Sequence, residues 1–195
     1  RSLEDDFRKV FSSPDIASKN YVFRHYDQEV QGRAVLRPGE ADAGVIAPVP
    51  SLPTGLAFTV DGNHHYGKVD PYQGGALAVC EAARNVAAVG GVPSAVTDCL
   101  NYGNPENPEV FWEFREGVRG VGDACRGIGL IGEEGQPIPV VSGNVSFYNQ
   151  GKSGRAIPPT PIIACVGVVD DYSRSRSISF KQESNELFLI GTPLD

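Results

Sequence analysis

Three groups of residues in this chain have the types and spacing that chemistry needs. Asp61, Glu81 and Asn85 combine two carboxylates with an amide carbonyl, and the four-residue step from Glu81 to Asn85 puts both on one helix face. Such hard oxygen donors suit magnesium; an ordinary solvated Glu beside a capping-type Asn is the plainer reading. The second group lies in T-D-C-L-N-Y-G-N-P, residues 97–105, where Asp98 and Asn101 fall at the expected end of a strand. Asp98 there could hold a base or ribose, or orient a metal-bound water; simple turn punctuation by Asn, Gly and Pro is the alternative. The third is V-V-S-G-N-V-S-F-Y-N, residues 140–149, in which an apolar strand leads into a turn at Ser142, Gly143 and Asn144, followed by Ser146. Gly143 lets the backbone approach a phosphate, hydroxyls and amide protons donate to it, and Asn144 offers a neutral oxygen to a cation. A hairpin turn fits the same spacing. The Gly-Lys-Ser/Thr ending of a Walker-type loop is absent.

Two other features invite a role and lose it on inspection. His64 and His65 on an extended segment point to opposite sides, with no third ligand in view. The P-P-T-P run at 158–161 reads as a rigid entry to the strand that follows.

The elements that must position these groups follow from periodicity and punctuation. Residues 2–12 place Leu3, Phe7, Val10 and Phe11 at helical spacing, and a second short helix is expected within 15–31. The Pro-, Gly- and Ala-rich stretch 37–55 reads as extended and loop-like. Strands are expected at 55–61, 93–100, 138–141 and 162–169, from their β-branched and apolar content. Asp70 caps a helix with Pro71 in its first position, and Gly90-Gly91 ends it. Another helix runs from Asn107-Pro108 to about Arg126, with Val110, Phe111, Phe114, Val118 and Val121 inward. This alternation is that of an α+β domain, with α/β-like order. Residues 172–179 read as a linker, and 187–190 as the first strand of something new.

Composition limits the partners. The chain has 195 residues, 41% apolar and 21% charged, with a formal net charge of −7 and its charges interspersed. That argues against a nucleic-acid surface, which needs clustered Lys and Arg, but not against nucleotides held through magnesium and backbone amides. No apolar run reaches the ~20 residues of a membrane-spanning helix. The four cysteines lack zinc-site spacing and read as buried free thiols in a reducing, cytoplasmic setting. The chain opens on Arg1 and has no methionine, so a fragment or processed product is expected.

Taken in order, D-P-Y-Q-G-G, E-A-A-R-N-V-A-A-V-G, T-D-C-L-N-Y-G-N-P-E-N-P-E-V-F-W-E-F-R-E, G-D-A-C-R, P-V-V-S-G-N-V-S-F-Y-N and I-P-P-T-P resemble formylglycinamide ribonucleotide amidotransferase (phosphoribosylformylglycinamidine synthase) across about residues 13–170. The likeness is to the synthetase subunit of the small, multi-subunit type. It implies a four-stranded sheet with helices on one face, like the amino-terminal domain of aminoimidazole ribonucleotide synthetase, pairing its sheet with a related lobe. Residues 1–172 would be the second such lobe, and 173–195 a linker and the cut-short start of the next domain. The implied reaction activates a formamide oxygen with the γ-phosphate of ATP, after which ammonia displaces phosphate to leave the amidine of formylglycinamide ribonucleotide. The implied partners are a glutaminase subunit, a small accessory subunit and the related first-half lobe, or self-association in its absence.

Carried over by position, Asp98 and Gly143 match ATP contacts, Asn144 a magnesium ligand and Ser146 a contact to the ribonucleotide. Asp61, Glu81 and Asn85 match an auxiliary magnesium-nucleotide site. The family's catalytic histidines belong to the first half, so no catalytic residue is expected here. Two departures stand out: His64-His65 replaces a Pro-Arg type sequence, and the loop 128–137 is longer than usual. Other ATP-dependent members of the superfamily lack the D-C-L-N-Y-G-N-P-E block followed by S-G-N-V-S-F-Y-N. A non-catalytic lobe with only an auxiliary nucleotide site is the rival reading. The leading reading requires the chain after Thr97 and after Val141 to converge.

Overall fold

The computed structural model describes residues 2–191. Its centre is a six-stranded mixed sheet in the order β1-β2-β3-β6-β4-β5, so the expected four strands are joined by two more. β1 (Ala34–Leu36) and β2 (Gly44–Ile46) are the additions. Each is three residues long, too short for alternation to show, and β2 lies inside the stretch read as loop. The other four are β3 (Gly55–Asp61), β4 (Val92–Asn101), β5 (Val140–Ser146) and β6 (Thr160–Val169). All neighbours run antiparallel except β4 and β5, which are parallel.

Helices cover one face. α4 (Pro71–Ala88) packs on β6, β3 and β4, and α5 (Pro108–Ile128) lies against α4. Their starts follow the expected chemistry. The Asp70 carboxylate accepts from the Gln73 amide at 3.0 Å, and the Asn107 side chain accepts from the Glu109 amide at 2.9 Å, each followed by a proline at the first helical position. α4 and α5 meet through glycine: a Cβ on Gly75 would come within 3.1 Å of the Gly117 carbonyl carbon, and one on Gly120 within 2.9 Å of that of Tyr72. This closeness redirects the inner face of α5. Val110 and Val121 are buried as expected, with Gly117, Gly120 and Cys125, but Phe111 and Val118 are exposed.

Along β6 the buried residues are Pro161, Ile163, Cys165, Gly167 and Val169, facing α4 with Ala57 and Thr59 of β3. The alternate positions, Ile162, Ala164, Val166 and Val168, are also apolar, and the last three register with Val60, Phe58 and Leu56 on the other face. A sheet apolar on both faces is built to be covered twice. Among the described residues, helices of the core cover only one face, and on the other Val60 stays 70% exposed.

The amino-terminal helix α1 (Leu3–Phe11) forms behind a Ser2–Asp5 capping box but buries no residue, and α2 (Asn20–Phe23) is a single turn. α3 (His64–Val69) overturns the extended reading of the histidine pair. Asn63 caps it, so His64 and His65 are successive helical residues whose ring centroids lie 4.0 Å apart. A short helical turn at Tyr172–Arg174 follows β6, and residues 187–190, expected as a strand, take no regular structure among the described residues.

Candidate nucleotide and substrate site

The strands after Thr97 and after Val141 do converge, though as strands and not as turns. Thr97, Asp98 and Cys99 register with Ser142, Gly143 and Asn144, and the ladder continues to Asn101 and Ser146. The glycine turn expected at Ser142–Asn144 is absent because those residues complete the parallel pair with β4. β5 is an edge strand, so this ladder remains open on one side.

Pleating sorts the candidate residues onto two faces. Asp98 shares the helix face with buried Val96 and Leu100. Its carboxylate lies across Gly143, where an added Cβ would sit 2.7 Å from the Asp98 Cγ. A side chain at Gly143 would force the Asp98 carboxylate to shift, a reason for glycine that is separate from any approach of a phosphate. Burial raises the Asp98 pKa above its ordinary value, against a smaller downward pull from the Asn144 amide proton. Tyr102, two pleats beyond Leu100, is fully buried with its hydroxyl unpartnered, and burial, then the charges of Glu113 and Asp98, push its pKa up. Glu113 is also raised, by burial and then by Glu109.

Asn144 and Ser146 project from the opposite face. The Asn144 Nδ2 lies 3.5 Å from the Cys99 Sγ, which leaves its amide oxygen free on an exposed side chain. Ser146 is half-buried and bound to Asn149, whose Nδ2 donates to the Ser146 Oγ at 3.0 Å and to the Tyr102 carbonyl at 3.0 Å. Asn149 closes the motif 140–149, where residue types alone assign it no task. An asparagine that closes a turn and reaches back to backbone groups was the available signal.

The third group is partly assembled. The Asp61 carboxylate accepts from the Asn85 Nδ2 at 2.8 Å and from the Thr59 hydroxyl, and all three sit between β3 and α4. Thr59 was unforeseen; standing two residues before Asp61 on one strand, it shares its face. Glu81 occupies the same face of α4 one turn earlier and makes no ion pair among the described residues. Among those residues, no three His, Cys, Asp or Glu side chains cluster to hold a metal. The donors nonetheless fit magnesium in kind, since every candidate atom is an oxygen. Magnesium would take the amide oxygens of Asn85 and Asn144, and in both residues that oxygen is the atom left free of the hydrogen bonds described.

Cys125 and Cys165 are buried, but Cys80 and Cys99 are only half-buried, so the expectation of four buried thiols holds for two. A hollow of about 340 Å³ lined by Cys80, Ala83, Ala87, Pro93, Ile128 and Ile131 contains none of the candidate site residues.

Residues 40–169 match the model of the AIR synthase related protein, N-terminal domain. The chain belongs to this family. The AIR synthase related fold explains the sheet with helices on one face, at six strands. The chain is 55% identical over 197 residues to the phosphoribosylformylglycinamidine synthase subunit PurL of Methanothrix thermoacetophila, covering 99% of this chain and 26% of that protein. It therefore spans about a quarter of the length of the curated relatives it matches. Among solved structures it is similar to Thermotoga maritima PurL complexed with ATP (TM-score 0.65, 29% identity, 80% of this chain and 24% of that one). The same protein complexed with FGAR gives 0.63 at 30% identity, with 80% and 24% covered. The PurLQS structure from Thermotoga maritima gives 0.68 at 30% identity, with 82% and 25% covered. Among the described residues, no helix of this AIR synthase related chain is long and apolar enough to cross a membrane.

Proposed function

We propose that this chain supplies part of the ATP, magnesium and ribonucleotide site of a phosphoribosylformylglycinamidine synthase in purine biosynthesis. The observation that carries the reading is the β4–β5 register, in which Asp98 adjoins Gly143 on the helix face while Asn144 and Ser146 line the other face of the same open edge strand. Support comes from the PurL relatives and from PurL structures that hold ATP or FGAR.

In this reading Asp98 and Gly143 contact ATP, while Asn144 presents its amide oxygen to magnesium and Ser146 its hydroxyl to formylglycinamide ribonucleotide. Bound magnesium would supply charge neutralisation at the phosphoryl group moving to the formamide oxygen. The β4–β5 ladder holds these contacts on the two faces of one preformed edge, which supplies positioning in place of covalent chemistry. Ammonia from a glutaminase subunit then displaces phosphate, so the parent enzyme is a carbon–nitrogen ligase with glutamine as amido donor. No catalytic residue is assigned to this chain. Its first 172 residues form the lobe, the remainder leads into a following domain, and the complex with its glutaminase and small accessory subunits works in the cytoplasm.

A second reading has its own observation. Asp61, Asn85 and Thr59 form a hydrogen-bonded group beneath α4, on the face opposite Asn144 and Ser146. With Glu81, this group suits an auxiliary magnesium-nucleotide site in a non-catalytic lobe.

Crystals soaked with ATP and magnesium discriminate. Nucleotide beside Asn144 and Ser146 supports the catalytic reading, and nucleotide only beside Asp61 and Glu81 replaces it with the structural one. In the whole enzyme, Asn144→Ala is expected to weaken magnesium-dependent ATP use. An unchanged rate and magnesium dependence in that variant removes the role given to Asn144.

A further inference from the structure

The turn that follows β5 is tied down more firmly than a surface turn needs. The Asn149 Nδ2 donates to the Ser146 carbonyl at 2.9 Å, to the Ser146 Oγ at 3.0 Å and to the Tyr102 carbonyl at 3.0 Å. Backbone bonds reinforce it: the Asn149 amide donates to the Tyr102 carbonyl at 3.1 Å, the Tyr148 amide to the Gly103 carbonyl at 2.9 Å, and the Ile157 amide to the Asn149 carbonyl at 3.1 Å. Beneath the turn, Phe147 meets Phe114 edge-on at 5.0 Å, and Phe114 meets Tyr102 at 5.3 Å. Held this way, Tyr148 takes a φ of 59°, a left-handed conformation that a bulky residue adopts only when its surroundings impose it.

We propose that Asn149 is the positioning residue that makes the Ser146 hydroxyl a hydrogen-bond donor toward the ribonucleotide. The inference rests on the reading of Ser146 as a ribonucleotide contact. Its physical basis is a choice between two arrangements of one pair of side chains. When the Asn149 Nδ2 donates to Ser146 Oγ, at 3.0 Å, the serine proton is free for an acceptor outside the turn. When Ser146 Oγ donates to the Asn149 Oδ1, at 3.3 Å, that proton is spent internally. The shorter contact selects the first arrangement, in which the two Nδ2 protons serve three acceptors and one of them is shared. The oxygens of a phosphoribosyl group are acceptors of the kind such a proton would meet.

The test is steady-state kinetics on the full synthetase complex with Ser146→Ala, Asn149→Asp and the double variant. Asn149→Asp keeps size and shape and leaves the backbone hydrogen bonds of the turn available, but its carboxylate takes the serine proton and cannot donate to the two carbonyls. The expected result is a rise of about tenfold in the ribonucleotide KM for each single variant, with the ATP KM unchanged within about twofold. The double variant should be no worse than Ser146→Ala alone, because the two act as one unit. If Ser146→Ala raises the ribonucleotide KM and Asn149→Asp does not, the positioning role is overturned while the contact made by Ser146 stands. A rise in both KM values together for Asn149→Asp also overturns it, since general loosening of the turn would do the same. If Ser146→Ala leaves the ribonucleotide KM unchanged, the reading of the site fails and the inference with it.

Discussion

Asp61 and Asp98 stand in one row across the sheet, each the register partner of Ile163, Asp61 on β3 and Asp98 on β4. Two strand spacings separate their backbones, about 10 Å. Both face the helix layer, yet their surroundings differ. Asp61 is supplied with donors by Asn85 and Thr59, whereas Asp98 meets burial with little to offset it. A carboxylate kept in such a place at a cost is a better functional candidate than one already satisfied.

The cost has a pH signature. Because the native pKa of Asp98 is raised, the folded state holds that proton more tightly than the unfolded chain does. Stability from this group is therefore lost as pH climbs from the unfolded pKa through the native one, and the penalty stands in full above both. Asp98→Asn should raise the melting temperature at about pH 7, and the gain should narrow as pH falls towards about 4. Thermal scans across that range check it; a variant that is less stable at neutral pH contradicts the assigned cause.

Gly143 should be intolerant for a reason confined to its neighbour. Gly143→Ala drives a methyl into the Asp98 carboxylate, with an expected loss of roughly 1–3 kcal/mol as for other overpacked sites. Removing that carboxylate should recover most of it. In a cycle of Gly143→Ala and Asp98→Ala followed by urea denaturation, strong non-additivity is expected. Additive effects would place the strain elsewhere.

The long elements were legible because several signals agreed at each. In α4, the Asp70 cap, Pro71, the apolar stripe and Gly90 all pointed one way. β1 and β2 were not legible, since three-residue strands carry too little period and exist here by pairing, β2 with β3 and β1 with β2. The extended reading of the histidine pair fails because Asn63 caps a short helix that begins at His64. For the site, the β4–β5 register sets Asp98 beside Gly143 and carries Asn144 and Ser146 along the same strand, but on its other face. Which face each occupies depends on strand register, and the expected turn at Gly143 hid it. The exposed Phe111 likewise reflects the Gly75–Gly117 and Gly120–Tyr72 contacts, which no single helix reveals.

The thiols should divide into two classes. Burial pushes Cys165 up to about 11 and raises Cys125 as well, so neither offers thiolate near neutral pH. Cys80 and Cys99 are half-buried. A disulfide reagent applied to the native chain should titrate two sulfurs readily, with the other two appearing only in denaturant. Fast modification of Cys165 without denaturant would show that the sheet–α4 layer opens.

The uncovered sheet face predicts association. Val60 and its cross-strand partner Ala164, with Phe58, Val166, Ile162 and Val168, form a continuous apolar surface on central strands. Water contact with such a surface costs about 25 cal/mol per Å², so a second apolar layer is favoured wherever one can reach it. A related lobe is the proposed cover in the parent enzyme, and another copy of the chain can take its place here. Sedimentation velocity over a concentration series should show self-association of the 195-residue chain. Val60→Asp should abolish it with little loss of monomer stability, because Val60 contributes nothing to the α4-facing core. A monomer at every concentration would mean that another segment of the chain shields this face. An oligomer unaffected by Val60→Asp would move the contact to a different surface, with the exposed Phe7 and Phe11 of α1 the next candidates.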